Sequence, residues 1–253
     1  VKALDDKLKL IDLVRGVAHL GHIPYEDVYH SSRYLEGAIL VYLKKIQVVA
    51  PNKKANRLVK GKDDKFTGAY VQDPQVGRHE WIFDLDVTSM YPSVIMSLNI
   101  SPEMKVGKVN GWSAEEFMKN TEKSYTVNII GNKDVVLNQT ELSNMLNGEK
   151  LSISSNGILY RTDKQGLIPS LLDTWFNERV EYRKLAKKHS DEGNQDKYEY
   201  FNRRQHIQKI ILNSLYGVLG LPVFRFYDVD NAEATTVTGQ TFIKFAKKMA
   251  NYY

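Results

Sequence analysis

Cysteine is absent from this sequence of 253 residues. Its absence excludes disulfides, thiolate zinc sites and cysteine nucleophiles together. We assign no role to the six histidines, no apolar run reaches the length of a membrane span, and no amino-terminal signal pattern occurs. Apolar residues make up 42% and charged residues 26%, and the formal net charge of +5 permits a polyanionic partner without requiring one.

Apolar periodicity predicts helices in several parts of the chain. Residues 4–20 and 33–48 repeat apolar side chains at close to helical spacing. The strongest helical patterns cover about 169–189 and 196–219 and are separated by turn residues at 191–194. Two long helices joined by so short a turn predict an antiparallel helical hairpin.

Short apolar runs between turn signals predict strands in the middle of the chain. Residues 81–85 are predicted to form an apolar strand, and 158–160 together with 166–169 a β edge that leads into the hairpin. We also expect a short helix at 113–119, because Ser113 can cap its amino-terminus.

The last part of the chain is predicted to contain a strand at 223–227 and a helix at 232–252. Four side chains of this helix recur at helical spacing and are expected to face inward: Phe242, Phe245, Ala246 and Met249. Earlier in the chain, the segment 51–65 contains six lysines and arginines. It has two interpretations, a solvated flexible loop and a strip that faces a nucleic-acid backbone.

The most informative stretch follows the predicted strand 81–85 and reads Asp86-Val87-Thr88-Ser89-Met90-Tyr91-Pro92-Ser93-Val94-Ile95. The strand delivers a carboxylate at Asp86, and Pro92, which cannot continue a β ladder, indicates a turn. A carboxylate at a strand end, next to backbone N–H groups of a tight turn, suits a metal-bound phosphate. Asp84 lies on the same strand face, either as a further functional carboxylate or as a structural partner of a nearby base.

Two motifs resemble those of family B DNA polymerases. The stretch 86–95 is similar to the A motif Asp-x-x-Ser-Leu-Tyr-Pro-Ser-Ile-Ile, from which it departs at Met90 and Val94. The stretch 209–217 reads Lys-Ile-Ile-Leu-Asn-Ser-Leu-Tyr-Gly and fills every fixed position of the B motif Lys-x-x-x-Asn-Ser-x-Tyr-Gly. The similarity covers most of the chain, from about residue 24 to 253. Within the family, the sequence looks most like the replicative polymerases of T4-type bacteriophages.

The resemblance implies an α+β fold, with a partial polymerase palm of β-sheet and helices and a two-helix antiparallel fingers hairpin. It divides the chain into a helical segment linking from the exonuclease region at 1–65, the first part of the palm with the A motif at 66–165, the fingers with the B motif at 166–222, and the return into the palm at 223–253. The chain begins with valine and contains no Asp-Thr-Asp-like C motif. We therefore expect the middle part of a longer polymerase, inactive by itself.

The resemblance also implies deoxynucleotidyl transfer to a primer 3′-hydroxyl with two Mg²⁺ ions. Asp86 would be the catalytic, bridging carboxylate, and the backbone carbonyl of Val87 would join it at the nucleotide-bound metal, the second essential carboxylate belonging to the C motif. Ser89 and Met90 would offer backbone N–H groups to the phosphates. Tyr91 would be the steric gate against a 2′-hydroxyl, its alternative being an ordinary buried aromatic residue.

On the second hairpin helix, Lys209, Asn213 and Tyr216 share one face because they are four and seven residues apart. The resemblance places Lys209 on the triphosphate, and Tyr216 and Gly217 beside the nascent base pair. Asn213 would contact the nucleotide, with a purely structural amide as the alternative. Gly217 would allow close approach of the template base, with a helix C-cap as its alternative.

On the first hairpin helix, Arg179 and Arg183 are also four residues apart, and the resemblance assigns both to nucleotide binding. An arginine offers a planar fork of donors that matches phosphate oxygens. Residues 66–70 resemble a Tyr-x-Gly-Gly/Ala element near the template, in which Phe66 replaces the tyrosine and Gly68 is the template-side glycine.

The partners implied are primer–template DNA, a dNTP, and the remaining polymerase segments, namely the exonuclease, the C-motif part of the palm and the thumb. A sliding clamp would bind through regions outside this chain, and no membrane partner is expected. The phage resemblance implies a viral protein in the cytoplasm of a bacterial host. Three rival interpretations are a non-catalytic nucleic-acid-binding helical module, an RNA-making or RNA-templated polymerase, and a protein-primed DNA polymerase.

Overall fold

The computed structural model describes residues 1–53, 67–82, 84–119 and 123–250. The helices are α1 (Lys2–Leu8), α2 (Leu10–Gly21), α3 (Ser31–Lys45), α4 (Met90–Leu98), α5 (Ala114–Met118), α6 (Gln139–Gly148), α7 (Leu167–Asp191), α8 (Gln195–Leu219) and α9 (Val229–Ala250). The strands are β1 (Lys105–Asn110), β2 (Tyr125–Ile129), β3 (Val135–Leu137), β4 (Leu151–Ile153) and β5 (Ile158–Arg161), and single 3₁₀ turns lie at Tyr25–Asp27 and Pro102–Met104. None of the described helices is long and apolar enough to cross a membrane.

The chain divides into two compact units. The helical unit comprises Val1–Asp64 and Leu167–Val229, and the sheet unit comprises Lys65–Gly166 and Asp230–Tyr253. The assignment of these parts to palm and fingers stays a prediction. Of the basic segment 51–65, residues 54–65 lie outside the described residues, as does Phe66.

The predicted helical hairpin is confirmed in the helical unit. Helices α7 and α8 are each 25 residues long, and Gly193 turns the chain between them with a φ of 70°. Asn194 caps α8 by accepting the N–H of Lys197 at 3.2 Å. The ring of Tyr182 on α7 stacks on Phe201 of α8 at 6.4 Å between centroids, which fixes the level at which the antiparallel helices meet.

The core of the helical unit lies between α3 and α8. Leu35 and Ile39 of α3 and Ile211 of α8 are completely buried. The hydroxyl of Tyr34 donates to Ser214 Oγ at 2.8 Å, which fastens α3 to α8 beside this core. One face of α8 is therefore committed to packing along its second half.

The helix predicted at 4–20 is interrupted. Lys9 adopts the left-handed conformation, with φ 53° and ψ 41°, so α1 and α2 are separate. The carboxylate of Asp5 accepts the N–H of Ile11 at 2.9 Å and so satisfies a donor at the start of the second helix. Apolar periodicity continues across the break, which explains why it did not signal one.

The sheet unit contains a five-stranded antiparallel sheet in the order β3-β2-β1-β5-β4. Five buried side chains from its strands and α6 form one core cluster: Val109, Tyr125, Val127, Leu142 and Leu159. The predicted β edge at 158–160 is wrong in its position, because β5 lies between β1 and β4 inside the sheet. Residues 167–169 are helical and begin α7, since their apolar side chains continue its buried face.

The short helix predicted at 113–119 is confirmed as α5, and Ser113 Oγ accepts the N–H of Glu116 at 3.4 Å as the predicted cap. Helix α6 begins with a reciprocal capping box between Asn138 and Glu141. Each cap satisfies N–H groups that the first turn of a helix leaves without an acceptor.

The strand predicted at 223–227 is wrong. Its backbone N–H groups bond locally instead, from Phe224 to Leu221 O at 2.9 Å and from Tyr227 to Phe224 O at 3.2 Å. Phe224 and Phe226 are buried and meet edge to face at 5.6 Å. This irregular segment thus buries apolar side chains at alternate positions without forming a β ladder.

The predicted carboxy-terminal helix is confirmed as α9, but its inward face is not the predicted one. Phe242, Phe245 and Met249 are exposed by 48%, 60% and 39%, and Ala246 is half-buried. The buried positions lie in the first half of the helix, from Asn231 to Gly239, where hydrogen bonds tie it to the sheet. Tyr160 on β5 donates to Asn231 Oδ1 at 2.8 Å, and Lys105 Nζ lies 2.6 Å from Asp230 Oδ2.

The strand predicted at 81–85 is also wrong for each residue there that the structure describes. Trp81 has a φ of 59° and is 97% exposed, and Ile82 and Leu85 are exposed as well. None of the five described strands pairs with this segment. A strand forms only when a neighbour takes up its N–H and C=O groups, so β-type side chains alone do not make one here.

Candidate functional site

The carboxylate of Asp86 lies in an exposed, irregular segment directly before α4. It makes no hydrogen bond or ion pair with any residue that the structure describes. Val87, which follows it, is 38% exposed. An exposed carboxylate without a basic partner is available to a cation, so the geometry is compatible with the role predicted for Asp86.

The chain turns at Thr88 and Ser89 and then starts α4. Ser89 is left-handed, with φ 50° and ψ 50°, and Met90 is the first helical residue. Two hydrogen bonds from Ser93 stabilise the turn. Its Oγ donates to Thr88 O at 3.2 Å, and its N–H donates to Ser89 O at 2.9 Å. Pro92 therefore lies inside the first helical turn, where a missing N–H is tolerated.

This helix terminus presents the backbone groups that the sequence assigned to phosphate binding. The N–H groups at the start of a helix point outward along its axis and carry its partial positive charge. Ser89 and Met90 stand at that position in α4. The predicted tight turn thus exists, and it leads into a helix.

Tyr91 is half-buried, and its ring lies against α9. A Cβ placed on Gly239 would be 3.3 Å from Tyr91 Cε1 and 3.4 Å from Met90 Cε. The edge of the ring therefore packs directly on the backbone of α9 at Gly239, where no side chain intervenes. Apolar spacing did not indicate this contact, although a glycine inside a predicted helix is itself a signal of close approach.

Helix α8 carries the second group of candidate residues on its exposed face. Lys209, Asn213 and Gly217 are exposed and Tyr216 is half-buried. Ser214, which is also a fixed position of the motif, points inward, and its Oγ accepts a hydrogen bond from the Tyr34 hydroxyl. The predicted stripe along α8 is confirmed as a stripe, while its ligands stay predictions.

Gly217 is not a helix cap. Helix α8 continues to Leu219 and its C-cap is Gly220. A Cβ at Gly217 would meet no described atom within 4 Å. Packing within the described residues therefore does not account for this glycine, whereas close approach of an external group would.

Arg179 on α7 differs from the other candidate cations because it is partly buried. Its Nε is inaccessible to solvent and has no acceptor among the described residues. Burial, followed by the neighbouring charge of Arg183, lowers the pKa of Arg179 from its ordinary value. A desolvated guanidinium with an unmet donor is poised for an anion, which would relieve both penalties.

Arg179 and Lys209 occur at the same level of the hairpin. Their sequence neighbours Glu178 and Gln208 are joined by a hydrogen bond from the Gln208 amide to the Glu178 carboxylate. Arg183 is exposed one turn further along α7. The assignment of these three cations to nucleotide binding stays a prediction.

Gly68, the predicted template-side glycine, is exposed, and its carbonyl accepts a hydrogen bond from Gln240 Nε2 of α9 at 2.5 Å. Lys244, one turn further along α9, places its ammonium 4.9 Å from the centroid of the Tyr70 ring. Side chains from two successive turns of α9 therefore contact the segment 67–70. Its relation to a template strand stays a prediction.

The described residues contain no cluster of three or more acidic, histidine or cysteine side chains that could hold a metal ion. Magnesium commonly uses only one or two protein carboxylates and takes its other ligands from water and substrate phosphates. The exposed carboxylate of Asp86 meets this requirement for one protein ligand.

Comparisons with known proteins identify the family of the sequence. Residues 28–253 match the sequence model described as DNA polymerase family B. The DNA-directed DNA polymerase of Enterobacteria phage T4 is 25% identical over the whole chain, and a DNA polymerase of Archaeoglobus fulgidus is 26% identical over 96% of it. The chain spans 30% and 25% of the length of these two relatives.

A solved structure shows the same fold. The family B DNA polymerase of the hyperthermophilic archaeon Pyrobaculum calidifontis superposes with a TM-score of 0.68 at 21% identity. The match covers 98% of this chain and 28% of that protein. At this identity the likeness concerns the fold alone.

Proposed function

Since the chain belongs to DNA polymerase family B, we propose that it is part of a template-directed DNA polymerase. The complete protein would extend a primer 3′-hydroxyl by deoxynucleotidyl transfer. The observation that supports this most directly is the start of α4. There an exposed carboxylate, outward-pointing N–H groups and a seated tyrosine follow one another within residues 86–91. A non-catalytic binding module has no need for that sequence of groups.

We propose that Asp86 and the carbonyl of Val87 hold Mg²⁺, and that the complete site takes two such ions. When bound, the metal would neutralise the triphosphate and favour ionisation of the primer hydroxyl. The sequence contains no Asp-Thr-Asp, so a second carboxylate must come from another segment of the complete protein. The chain alone should accordingly show little or no primer extension.

Two kinds of group would bind the triphosphate. The N–H groups of Ser89 and Met90 suit phosphate oxygens because they lie at a positive helix terminus. Arg179, Arg183 and Lys209 supply the cations that phosphoryl transfer needs for charge neutralisation. The unmet donor of Arg179 makes it the member of this set with most to gain from an anion.

The remaining candidate residues would select the nucleotide. Tyr91 would contact the deoxyribose and leave no room for a 2′-hydroxyl. Asn213 would reach the sugar or base edge from the exposed face of α8, and Tyr216 with Gly217 would lie beside the nascent base pair. Gly68 would lie near the template strand.

In this proposal α7 and α8 are the fingers and the sheet unit is part of the palm. The partners are primer–template DNA, a dNTP, and the exonuclease, C-motif and thumb segments of the complete protein, with a sliding clamp bound elsewhere. The T4 relative supports a phage protein that acts in the cytoplasm of a bacterial host. A protein-primed DNA polymerase stays an alternative.

The test is a pair of matched substitutions in the complete polymerase. Asp86→Asn should reduce primer extension by on the order of a thousandfold or more, because a metal-binding carboxylate is lost. Asp84→Asn removes the same charge from an exposed position two residues earlier and should retain most of the activity. Primer–template affinity, measured by fluorescence anisotropy, should be unchanged in both. Equal losses in the two variants, or an active Asp86→Asn enzyme, would contradict the assignment.

A further inference from the structure

Gly239 occupies an unusual place in α9. Glycine is less favourable than alanine inside a helix, and a glycine in mid-helix calls for a packing reason. Gly239 is buried, and packing against α4 supplies the reason. A Cβ placed on Gly239 would lie 3.3 Å from Tyr91 Cε1 and 3.4 and 3.7 Å from Met90 Cε and Sδ. Both neighbours belong to the first turn of α4.

The backbone at Gly239 is fixed from both sides. Thr238 Oγ1 accepts the N–H of Ser155 at 3.0 Å, in the turn between β4 and β5. Gln240 Nε2 donates to Gly68 O at 2.5 Å. The residues before and after Gly239 are thus each tied to a different segment of the sheet unit, so the helix cannot readily shift to admit a side chain.

The rest of α9 leads to the same conclusion. Ala232, Thr235 and Thr236 are fully buried on the face that ends at Gly239. Asn156 Nδ2 donates to Glu233 Oε2 at 3.1 Å and to Asp230 O at 3.2 Å, which holds the first turn of the helix. An added Cβ at 239 must therefore be accommodated by the Tyr91 ring or the Met90 side chain.

We propose that Gly239 is a positioning residue for sugar selection: by lacking a side chain it sets how deep the Tyr91 ring sits, and so how much room is left above the ring for the sugar of the incoming nucleotide. The proposal rests on the gate role proposed for Tyr91. It adds a residue on a different helix that sets the dimensions of the gate without contacting the nucleotide.

The direction of the effect follows from the geometry. Tyr91 is half-buried, with α9 on its covered side. A Cβ at 239 would move the ring by a few tenths of an ångström toward its open side. The space for any sugar becomes smaller, so use of the natural dNTP falls and use of the rNTP does not rise. This is opposite to Tyr91→Ala, which enlarges the space.

The experiment is steady-state incorporation of a dNTP and of the matching rNTP by the complete polymerase. Gly239→Ala should lower kcat/KM for the dNTP by roughly three- to tenfold, the size expected when one methyl group overpacks a fitted contact. Gly148→Ala is the matched control. Gly148 ends α6, and a Cβ there would meet nothing within 4 Å, so its kinetics should equal those of the parent enzyme.

The double variant Tyr91→Ala with Gly239→Ala separates positioning from general damage. Without the ring, the new Cβ has no ring to displace, so Gly239→Ala should change dNTP use by less than twofold in that background. If Gly239→Ala lowers the Tm of the parent enzyme, it should lower the Tm of Tyr91→Ala by less.

Two results would overturn the proposal: unchanged dNTP kinetics in Gly239→Ala, or the same loss with and without the Tyr91 ring. Failure of the proposed function has a different signature, namely an unchanged dNTP to rNTP ratio in Tyr91→Ala alone. If Tyr91→Ala relaxes the ratio while Gly239→Ala has no effect, the gate assignment stands and only the role of Gly239 is lost.

Discussion

The candidate residues on α8 and the candidate carboxylate at Asp86 are held in place by different kinds of contact. Lys209 and Asn213 project from a helix whose hydrogen bonds are internal and whose opposite face is buried at Ile211 and Leu212. Asp86 follows a segment with no strand partner among the described residues, and Trp81 and Leu85 there are exposed. A helical site is built by local contacts, whereas a strand-borne site depends on a neighbour elsewhere in the protein.

Tyr91 is intermediate between these two cases. It belongs to a helix, so local hydrogen bonds set its direction, but its depth depends on Gly239. The comparison therefore predicts that substitutions on α8 act on the nucleotide without disturbing the fold. It also predicts that a substitution on a second helix, α9, changes nucleotide use through Tyr91.

The strongest test of a preformed α8 face is Lys209→Ala in the complete enzyme. Loss of a cation that tightens on the triphosphate in the transition state should cost roughly 2–4 kcal/mol in dNTP kcat/KM. Primer–template Kd should change far less, because DNA affinity is spread over many phosphate contacts.

Lys197→Ala is the matched control for Lys209→Ala, since Lys197 is an exposed lysine at the other end of α8. It should leave dNTP use close to that of the parent enzyme. A loss confined to DNA binding in Lys209→Ala, or equal losses in both variants, would place the α8 face on the DNA and not on the nucleotide.

A smaller effect is expected at Tyr91. Tyr91→Ala should lower the ratio of dNTP to rNTP kcat/KM by roughly tenfold or more, because a filled space next to the sugar becomes open. Tyr91→Phe keeps the ring and should keep the ratio. Competition assays with mixed nucleotides give the ratio directly, and equal ratios in the alanine variant and the parent would mean that the gate lies elsewhere.

The smallest effect concerns the scaffold under the α8 face. Tyr34→Phe removes the hydrogen bond to Ser214 and should lower the free energy of unfolding by about 1 kcal/mol. Burial raises the pKa of Tyr34 above its ordinary value, and the hydrogen bond with Ser214 lowers it by less. The folded state therefore holds the phenol proton more tightly than the unfolded state does. The contribution of this proton to the free energy of unfolding is complete below the unfolded pKa near 10 and is lost as the pH rises through the folded pKa.

Urea unfolding of the parent and of Tyr34→Phe at neutral pH and above pH 10 would check both parts. The variant should lose less stability than the parent between these two conditions. Tyr29→Phe alters an 84% exposed ring and is the control, for which no difference from the parent is expected. A Tyr34→Phe variant with the parent's pH dependence would contradict the prediction.

The helical hairpin and the α8 stripe could be predicted from the sequence because one periodicity determines both. Lys209 and Asn213 are four residues apart, and no distant contact is needed to place them on one face. The predicted cap at Ser113 was confirmed for the same reason. Each of these features depends on residues within one or two helical turns.

The features that the sequence missed depend on distant partners. Residues 81–85 have strand-forming side chains but no described strand to pair with, and 223–227 bond within their own turn. The apolar face expected at Phe242 and Phe245 would need a surface to pack on that the described residues do not provide. The contact of Gly239 with Tyr91 joins helices far apart in sequence, which periodicity within either helix cannot reveal.

The exposure of Trp81 has an optical consequence. The chain has three tryptophans, and the other two are Trp175, which is buried in the helical unit, and Trp112, which packs on Phe117 at 5.0 Å in the sheet unit. An indole in water emits at longer wavelength than one in an apolar core. Trp81 therefore acts as a native fluorophore whose blue shift would register any segment that comes to cover residues 81–85, with one internal reference in each unit.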